Sequence, residues 1–240
     1  MELAPAVHSE WLKIRTMRSL LACLAAVPVV TVVFSAVAAS DGEDMGVDPL
    51  LSAFFGVNFG QIAAIAFGAT AYAQEFRGGA LRLTLAAVPR RGRWFAAKAV
   101  AVAVPALVVG LLTGAASLAA GTAALGTRAD VLGTGERLRG VVGCGLYLML
   151  MALFAAGVTA VLRSGVATLS LLIPFLLIVS FVVGDVSGSL ADFLPDRAGQ
   201  IALHLAWDGT LGPWTGLAVT AAWAATALLA GAWRIGRRDA

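Results

Sequence analysis

Six stretches of this chain carry no Asp, Glu, Lys or Arg: residues 19–40, 49–74, 99–127, 140–162, 164–184 and 209–233. Each is long enough to cross a bilayer, since about 20 helical residues span a hydrocarbon core roughly 30 Å thick. The apolar runs are continuous and do not alternate with period two, so the pattern predicts helices and not barrel strands. The expected fold is all-α: a polytopic membrane protein with six transmembrane helices near 20–39, 50–73, 99–126, 140–162, 164–184 and 213–233, in a single domain covering 1–240. Pro28, Pro105 and Pro174 fall inside spans and predict bends there.

Composition narrows the class. Of the 240 residues, 60% are hydrophobic and only 13% charged, more apolar surface than a soluble domain of this length can hide. Disorder and a disulfide scaffold are excluded by the same balance and by the presence of just two cysteines, Cys23 and Cys144, in different spans. A net charge of +3, scattered along the chain, does not suit nucleic acid. The basic residues serve better as topology signals. With both termini in the cytoplasm, Lys13, Arg15, Arg18, the six between Arg77 and Lys98, Arg163, Arg234, Arg237 and Arg238 face inward. Only Arg128, Arg137, Arg139 and Arg197 face outward. Trp214 and Trp233 bracket the last span about 28 Å apart along a helix, close to one hydrocarbon thickness. The N-terminal apolar run imitates a secretory signal but is longer than one, so an uncleaved first helix is expected.

The pieces between the spans hold most of the polar content. In residues 1–19, Trp11, Ile14 and Met17 recur every third position among basic residues. This reads either as an interfacial helix on the cytoplasmic leaflet or as a plain charged flank. Residues 75–98 form the longest cytoplasmic loop, where Leu81, Leu85 and Val88 can share a helical face before Pro89. Leucines between arginines suit a docking surface, although basic loops usually only set orientation. Leu162 to Gly165 predicts a tight hairpin. In the outer segment 185–212, Asp196 is expected to cap a helix whose stripe of Ala198, Ile201, Ala202 and Leu205 either dips into the outer leaflet or covers the bundle.

Much chemistry is missing. The span interiors contain no ionisable side chain, so proton-coupled transport lacks an obvious relay. His8 and His204 are the only histidines, and no catalytic or metal-binding pattern surrounds them. His204 reads as an interfacial side chain. Neither lysine follows a glycine as a P-loop requires, so no ATP hydrolysis, and no cofactor or metal, is expected on this chain. Within the second span, Gly56 and Gly60 make a small-residue step beside Asn58 and Gln61; Gly110 and Gly114 repeat the spacing in the third. Such steps fit tight packing within one bundle, or else a substrate path or dimer seam.

Several segments resemble a known family. Ser9-Glu10-Trp11-Leu12-Lys13-Ile14-Arg15-Thr16-Met17-Arg18-Ser19 is similar to the opening of bacterial ATP-binding-cassette (ABC) exporter permeases of the second type. The run Gln74-Glu75-Phe76-Arg77-Gly78-Gly79-Ala80-Leu81-Arg82 through Val88-Pro89-Arg90-Arg91-Gly92-Arg93 resembles that family's loop after the second span. Leu162-Arg163-Ser164, Phe193-Leu194-Pro195 and Ala198-Gly199-Gln200 extend the similarity along the chain. It departs at Phe76, more often Tyr, and at Gly79 and Ala80, where a small residue and then a hydroxyl-bearing one are usual.

The resemblance implies a multi-pass subunit of a bacterial plasma membrane. It would pair with a second permease, identical or a paralogue, and be driven by separate ABC ATPase subunits that carry ATP and magnesium. It also implies where the ATPase docks: Trp11, Lys13, Arg15 and Arg18 on the interfacial segment; Glu75, Phe76, Arg77, Gly78, Arg82, Pro89, Arg90 and Arg91 on the loop; and Arg163 near a smaller second contact. Residues 185–212 would form short re-entrant helices. The expected function is a translocation path for a hydrophobic or amphipathic substrate. The alternative is a membrane scaffold or sensor that docks a cytoplasmic partner and moves nothing.

Overall fold

In lipid, apolar side chains gain little by meeting one another, so helices associate through close packing and hydrogen bonds. A computed structural model describes residues 3–41, 48–76, 91–180, 182, 188–207 and 209–237 of the chain. Among the described residues all regular structure is helical. The helices are α1 (Leu3–Thr16), α2 (Arg18–Asp41), α3 (Pro49–Phe54), α4 (Val57–Ala73), α5 (Arg91–Leu125), α6 (Thr134–Leu162), α7 (Gly165–Pro174), α8 (Pro195–Gln200) and α9 (Pro213–Arg237). The loop residues Arg77, Gly78, Arg82, Pro89 and Arg90, with the expected helix from Leu81 to Val88, lie outside the described residues.

Among the described residues, five helical stretches are long and apolar enough to cross a membrane: Arg18–Ser40, Pro49–Phe76, Arg91–Val131, Thr134–Leu162 and Pro213–Arg237. They match five of the six expected spans. In the fifth, 164–184, the apolar helix among the described residues covers Gly165–Ile178, while 181, 183 and 184 lie outside the described residues. Pro174 has no N–H to continue the ladder, and the chain widens into a π-helical turn at Phe175–Val179. The stretch nonetheless starts beside Ala73, at the end of α4, and reaches Asp196 through the Ser180 hydroxyl.

Helix α6 packs against α4, α5 and α9, while α2 packs against α4 and α5. The cores of Pro49–Phe76 and Thr134–Leu162 are each 61% buried, against 22% for Arg18–Ser40 and 28% for Pro213–Arg237. The second and fourth spans are therefore the inner pair. Their seam depends on Gly68, where an added Cβ would stand 2.0 Å from the Ala152 carbonyl oxygen. Gly110 and Gly114 similarly face the α6 backbone at Gly145 and Val141.

The second span is broken, which the uninterrupted apolar run did not predict. Asp48 Oδ1 accepts from Leu50 N at 2.8 Å and Leu51 N at 3.2 Å, capping the six-residue α3. A turn at Phe55-Gly56 follows, and Gly56 N donates to Ser35 Oγ of α2 at 3.0 Å. Side chains are excluded there: a Cβ on Gly56 would lie 1.9 Å from the Thr31 carbonyl oxygen, and one on Gly60 1.9 Å from Thr31 Oγ1. The Gly56–Gly60 step thus packs on α2 within the same chain.

The hairpin after α6 has the expected tightness. Arg163 adopts φ 57° and donates its N–H to Thr159 O at 2.7 Å; Ser164 Oγ then accepts from Ala167 N at 3.2 Å. In the 188–207 segment the cap differs from expectation. Leu194 occupies the N-cap and Pro195 the first helical position, which suits its missing N–H, so Asp196 stands inside the first turn. Ala198, Ile201 and Ala202 are buried against the bundle, the second of the two placements considered for that stripe, and Leu205 is half-buried. The bundle thus has a proximal end, carrying α1 and the start of α5, and a distal end, carrying α3 and residues 188–207.

Candidate functional site

At the proximal end, α1 lies against α5 and brings Glu10 beside the last residues of the second span. Lys98 Nζ donates to Glu10 Oε2 at 2.8 Å and to Glu75 Oε1 at 2.6 Å. Lys13 Nζ closes the cluster, 2.8 Å from Glu10 Oε1 and 2.9 Å from Glu75 Oε1. The side chains of Lys98, Glu10 and Glu75 are at most 5% exposed. Charges buried this deeply are costly unless paired, and here each is balanced and hydrogen-bonded by an opposite charge. Lys98 Nζ also lies 5.8 Å from the centre of the Tyr72 ring, within cation–π reach. Burial alone pulls the Lys13 ammonium down, but hydrogen bonds and attraction from Glu10 and Glu75 outweigh it and hold its pKa above the ordinary lysine value. A raised lysine pKa contributes stability that is whole below the unfolded value and lost as pH rises through the folded one. The Lys13 bridge therefore persists at neutral pH and, on the lysine side, is lost in strong alkali.

The implied docking residues divide by this cluster. Trp11, Arg15 and Arg18 are exposed on or just after α1. Lys13 is half-buried in the cluster, and Glu75 is buried in it and presents no free carboxylate to a partner. Phe76 is half-buried. Arg91 Nη1 donates to the Ile235 carbonyl at 2.9 Å, tying the start of α5 to the end of α9. Arg163 is half-buried, with Nε and Nη2 lacking a hydrogen-bond partner among the described residues. Sequence reasoning missed Glu10 and Lys98. One signal was present: fifteen of the 17 basic residues are arginines, and the two lysines meet in this cluster. A compact ammonium fits between two carboxylates where a planar guanidinium does not.

At the distal end, a cavity of about 400 Å³ lies between the start of the second span, the end of the α7 stretch and residues 196–207. Phe55 and Phe59 form one wall, with ring centres 6.1 Å apart and edge-on, and Leu176 and Leu177 another. The polar lining is organised by α6. Tyr147, fully buried, donates its hydroxyl to Gln61 Oε1 and accepts from Gln200 Nε2 at 3.2 Å. Gln61 Nε2 donates to the Asn58 carbonyl at 3.0 Å. Ser180 Oγ donates to Asp196 Oδ2 at 2.5 Å, and Arg197 Nε donates to the Ser180 carbonyl at 3.2 Å. These two bonds hold α8 to the end of the α7 stretch.

The rim is also tied down. Asp48 Oδ2 accepts from Leu205 N at 2.6 Å, and Arg139 Nη2 donates to the His204 carbonyl at 2.5 Å. Burial pushes the His204 pKa down and Arg139 adds to this, against the pull of Asp48 Oδ2 at 3.8 Å. His204 is thus part of the cavity lining and no isolated surface group. Trp223, exposed on the bundle surface and edge-on to Phe154, donates Nε1 to the Phe193 carbonyl at 3.0 Å. A second, apolar groove opens sideways between α2 and α4 and shares Phe59 with the cavity; Phe34 stacks on that ring at 4.3 Å.

Replacing Tyr147 by Phe is expected to lower stability by about 1–3 kcal/mol, because buried Gln61 and half-buried Gln200 lose their common partner. Thermal unfolding of the purified protein in detergent reads the effect; an unchanged midpoint would show the amides pairing without the hydroxyl.

Among the described residues, no three His, Cys, Asp or Glu side chains gather as metal ligands. The arrangement therefore offers a rigid charged clamp at one end of the bundle and an amphipathic recess at the other. No family model and no curated protein matches the chain.

Proposed function

We propose that the chain is the membrane-spanning permease subunit of an ATP-driven exporter, with six spans and both termini cytoplasmic, working as a pair with separate ATPase subunits. The observation that carries this reading is the proximal clamp. Glu10, Glu75 and Lys98 join α1 to the end of the second span and the start of the third, the two elements flanking residues 77–90. Force applied to the exposed side of α1 reaches the two spans through buried ionic contacts, with no compliant loop between. Rigid-body transmission of this kind is how a docked ATPase moves a membrane partner. The distal recess, part aromatic and part amide-lined, suits an amphipathic substrate. Six spans are supported by the α7 stretch, which runs from Ala73 to Asp196, and by the asymmetry of the basic residues.

Docking is tested on Arg15 and Arg18, which are exposed and outside the cluster. Arg15→Glu with Arg18→Glu is expected to lower ATPase co-purification and substrate-stimulated ATP hydrolysis by about tenfold, with thermal stability unchanged. Full coupling in that variant would remove the docking surface. Uphill solute accumulation by the chain alone in liposomes would remove the reading altogether. Retained ATPase binding with no ATP-dependent movement of any solute would instead identify a scaffold.

A further inference from the structure

Two polar atoms lining the distal recess lack a hydrogen-bond partner among the described residues, Trp207 Nε1 and Asp196 Oδ1, and the second belongs to a carboxylate. Asp196 is 6% exposed and lines the cavity. Its Oδ2 is taken by Ser180, but Oδ1 has no hydrogen-bond partner among the described residues. A buried carboxylate oxygen without a donor is costly, and such groups persist where something outside the chain completes them. Burial dominates here and raises the Asp196 pKa above the ordinary carboxylate range. The Ser180 hydroxyl, the nearby backbone N–H groups of Asp196 and Arg197, and least of all the Arg197 guanidinium work the other way. Arg197 commits its Nε to the Ser180 carbonyl, so the carboxylate gains little direct neutralisation from it.

We propose that the distal recess binds a protonated amine carried on an aromatic or aliphatic body. The ammonium N–H donates to Asp196 Oδ1, and the body lies against Phe55, Phe59 and Trp207. A charge-assisted bond is stronger than a neutral one. Aromatic faces attract the same cation that the carboxylate binds, so the two halves of the lining favour one ligand type. A carboxylic acid meets the Asp196 charge with its own. A neutral alcohol satisfies Oδ1 but brings no charge. This names a substrate class for the permease reading and rests on it for the fate of the ligand, though not for its binding.

The test uses the full chain in lipid nanodiscs at neutral pH, with calorimetric titration of 1-naphthylmethylamine. The same naphthyl body is titrated as its alcohol, its carboxylic acid and its quaternary trimethylammonium. The amine is expected to bind about tenfold or more tightly than each of the other three, because only it supplies charge and N–H together. In Asp196→Asn, which keeps the shape and an acceptor for Ser180, amine affinity should fall by about tenfold to the level of the alcohol. Trp207→Leu should weaken the amine more than the alcohol, because it removes a cation–π face along with apolar contact, and an equal loss would remove the aromatic part of the proposal.

Equal binding of amine and alcohol by the unmodified protein would overturn the proposal without reference to any variant. So would preference for the acid, parity of the quaternary ammonium with the amine, or wild-type amine affinity in Asp196→Asn. Amine binding with no ATP-dependent transport of any solute alongside the ATPase would leave the site standing and remove the permease reading. ATP-driven transport of other solutes by a protein indifferent to amines would do the reverse.

Discussion

Replacing Lys98 by alanine is expected to lower stability by about 3–5 kcal/mol, the usual result of removing one partner from a buried ionic group. The loss exceeds that of a surface charge because Glu10 and Glu75 are buried carboxylates that would lose the ammonium lying between them. Since the cluster joins α1 to the bundle, α1 should detach before the spans unfold. Protease cleavage near Thr16 and a lower thermal midpoint would both report this. Repair should come from neutrality and not from charge: Lys98→Met combined with Glu10→Gln and Glu75→Gln is expected to regain most of the loss, because a shape-matched uncharged set avoids the desolvation cost. A single Lys98→Ala variant with a wild-type midpoint and protected α1 would show that the cluster does not hold the helix. One practical corollary concerns Glu75. Its substitution would disturb docking by unmaking the clamp, so loss of a partner in that variant does not locate the contact.

The second large effect is expected at Gly68. Even alanine there should cost more than the roughly 1–3 kcal/mol of ordinary overpacking, and leucine should prevent assembly of a monodisperse protein. The atom in the way is a backbone oxygen of α6, 2.0 Å from where the Cβ would stand, so no side chain can rotate aside. Both helices belong to the inner pair, and separating them opens the centre of the bundle. Gly92 is the control: nothing lies within 4 Å of its added Cβ, so Gly92→Ala should be neutral or slightly stabilising. Size-exclusion profiles of fluorescently tagged variants separate the two cases. A monodisperse Gly68→Leu protein of normal yield would mean that the α4–α6 seam yields more easily than its geometry implies.

Helix identity and approximate span positions were legible because charge exclusion over about 20 residues is a strong and local signal. The ends were less so. α5 begins at Arg91, eight residues before the charge-free run, because its first turns bury Trp94, Phe95 and Lys98 against other helices. No hydropathy rule foresees a buried lysine. The break at Gly56 was hidden because both flanking helices are apolar; its cause, the close approach of Thr31, is tertiary. For the sites, the exposed part of the docking residues could be named from their sequence context, yet Glu10 and Lys98 are 88 residues apart and meet only through folding. Asp196 was singled out for the wrong reason. Its spacing before an apolar stripe suggested a cap, but Pro195 takes the first helical position and leaves the carboxylate for Ser180 and the recess.

Helix α5 has a mechanical consequence. Its 35 residues make a rod about 52 Å long, well beyond one hydrocarbon thickness. One tip is pinned to the last turn of α9 by Arg91, and far along the shaft Gly121 lies flush against Ala53 of α3, beside the recess wall at Leu51. Pro105 lies within this shaft and removes one rung of its hydrogen-bond ladder, so the single member that joins the two ends of the molecule carries one weak point, nearer the Arg91 tip than the far end.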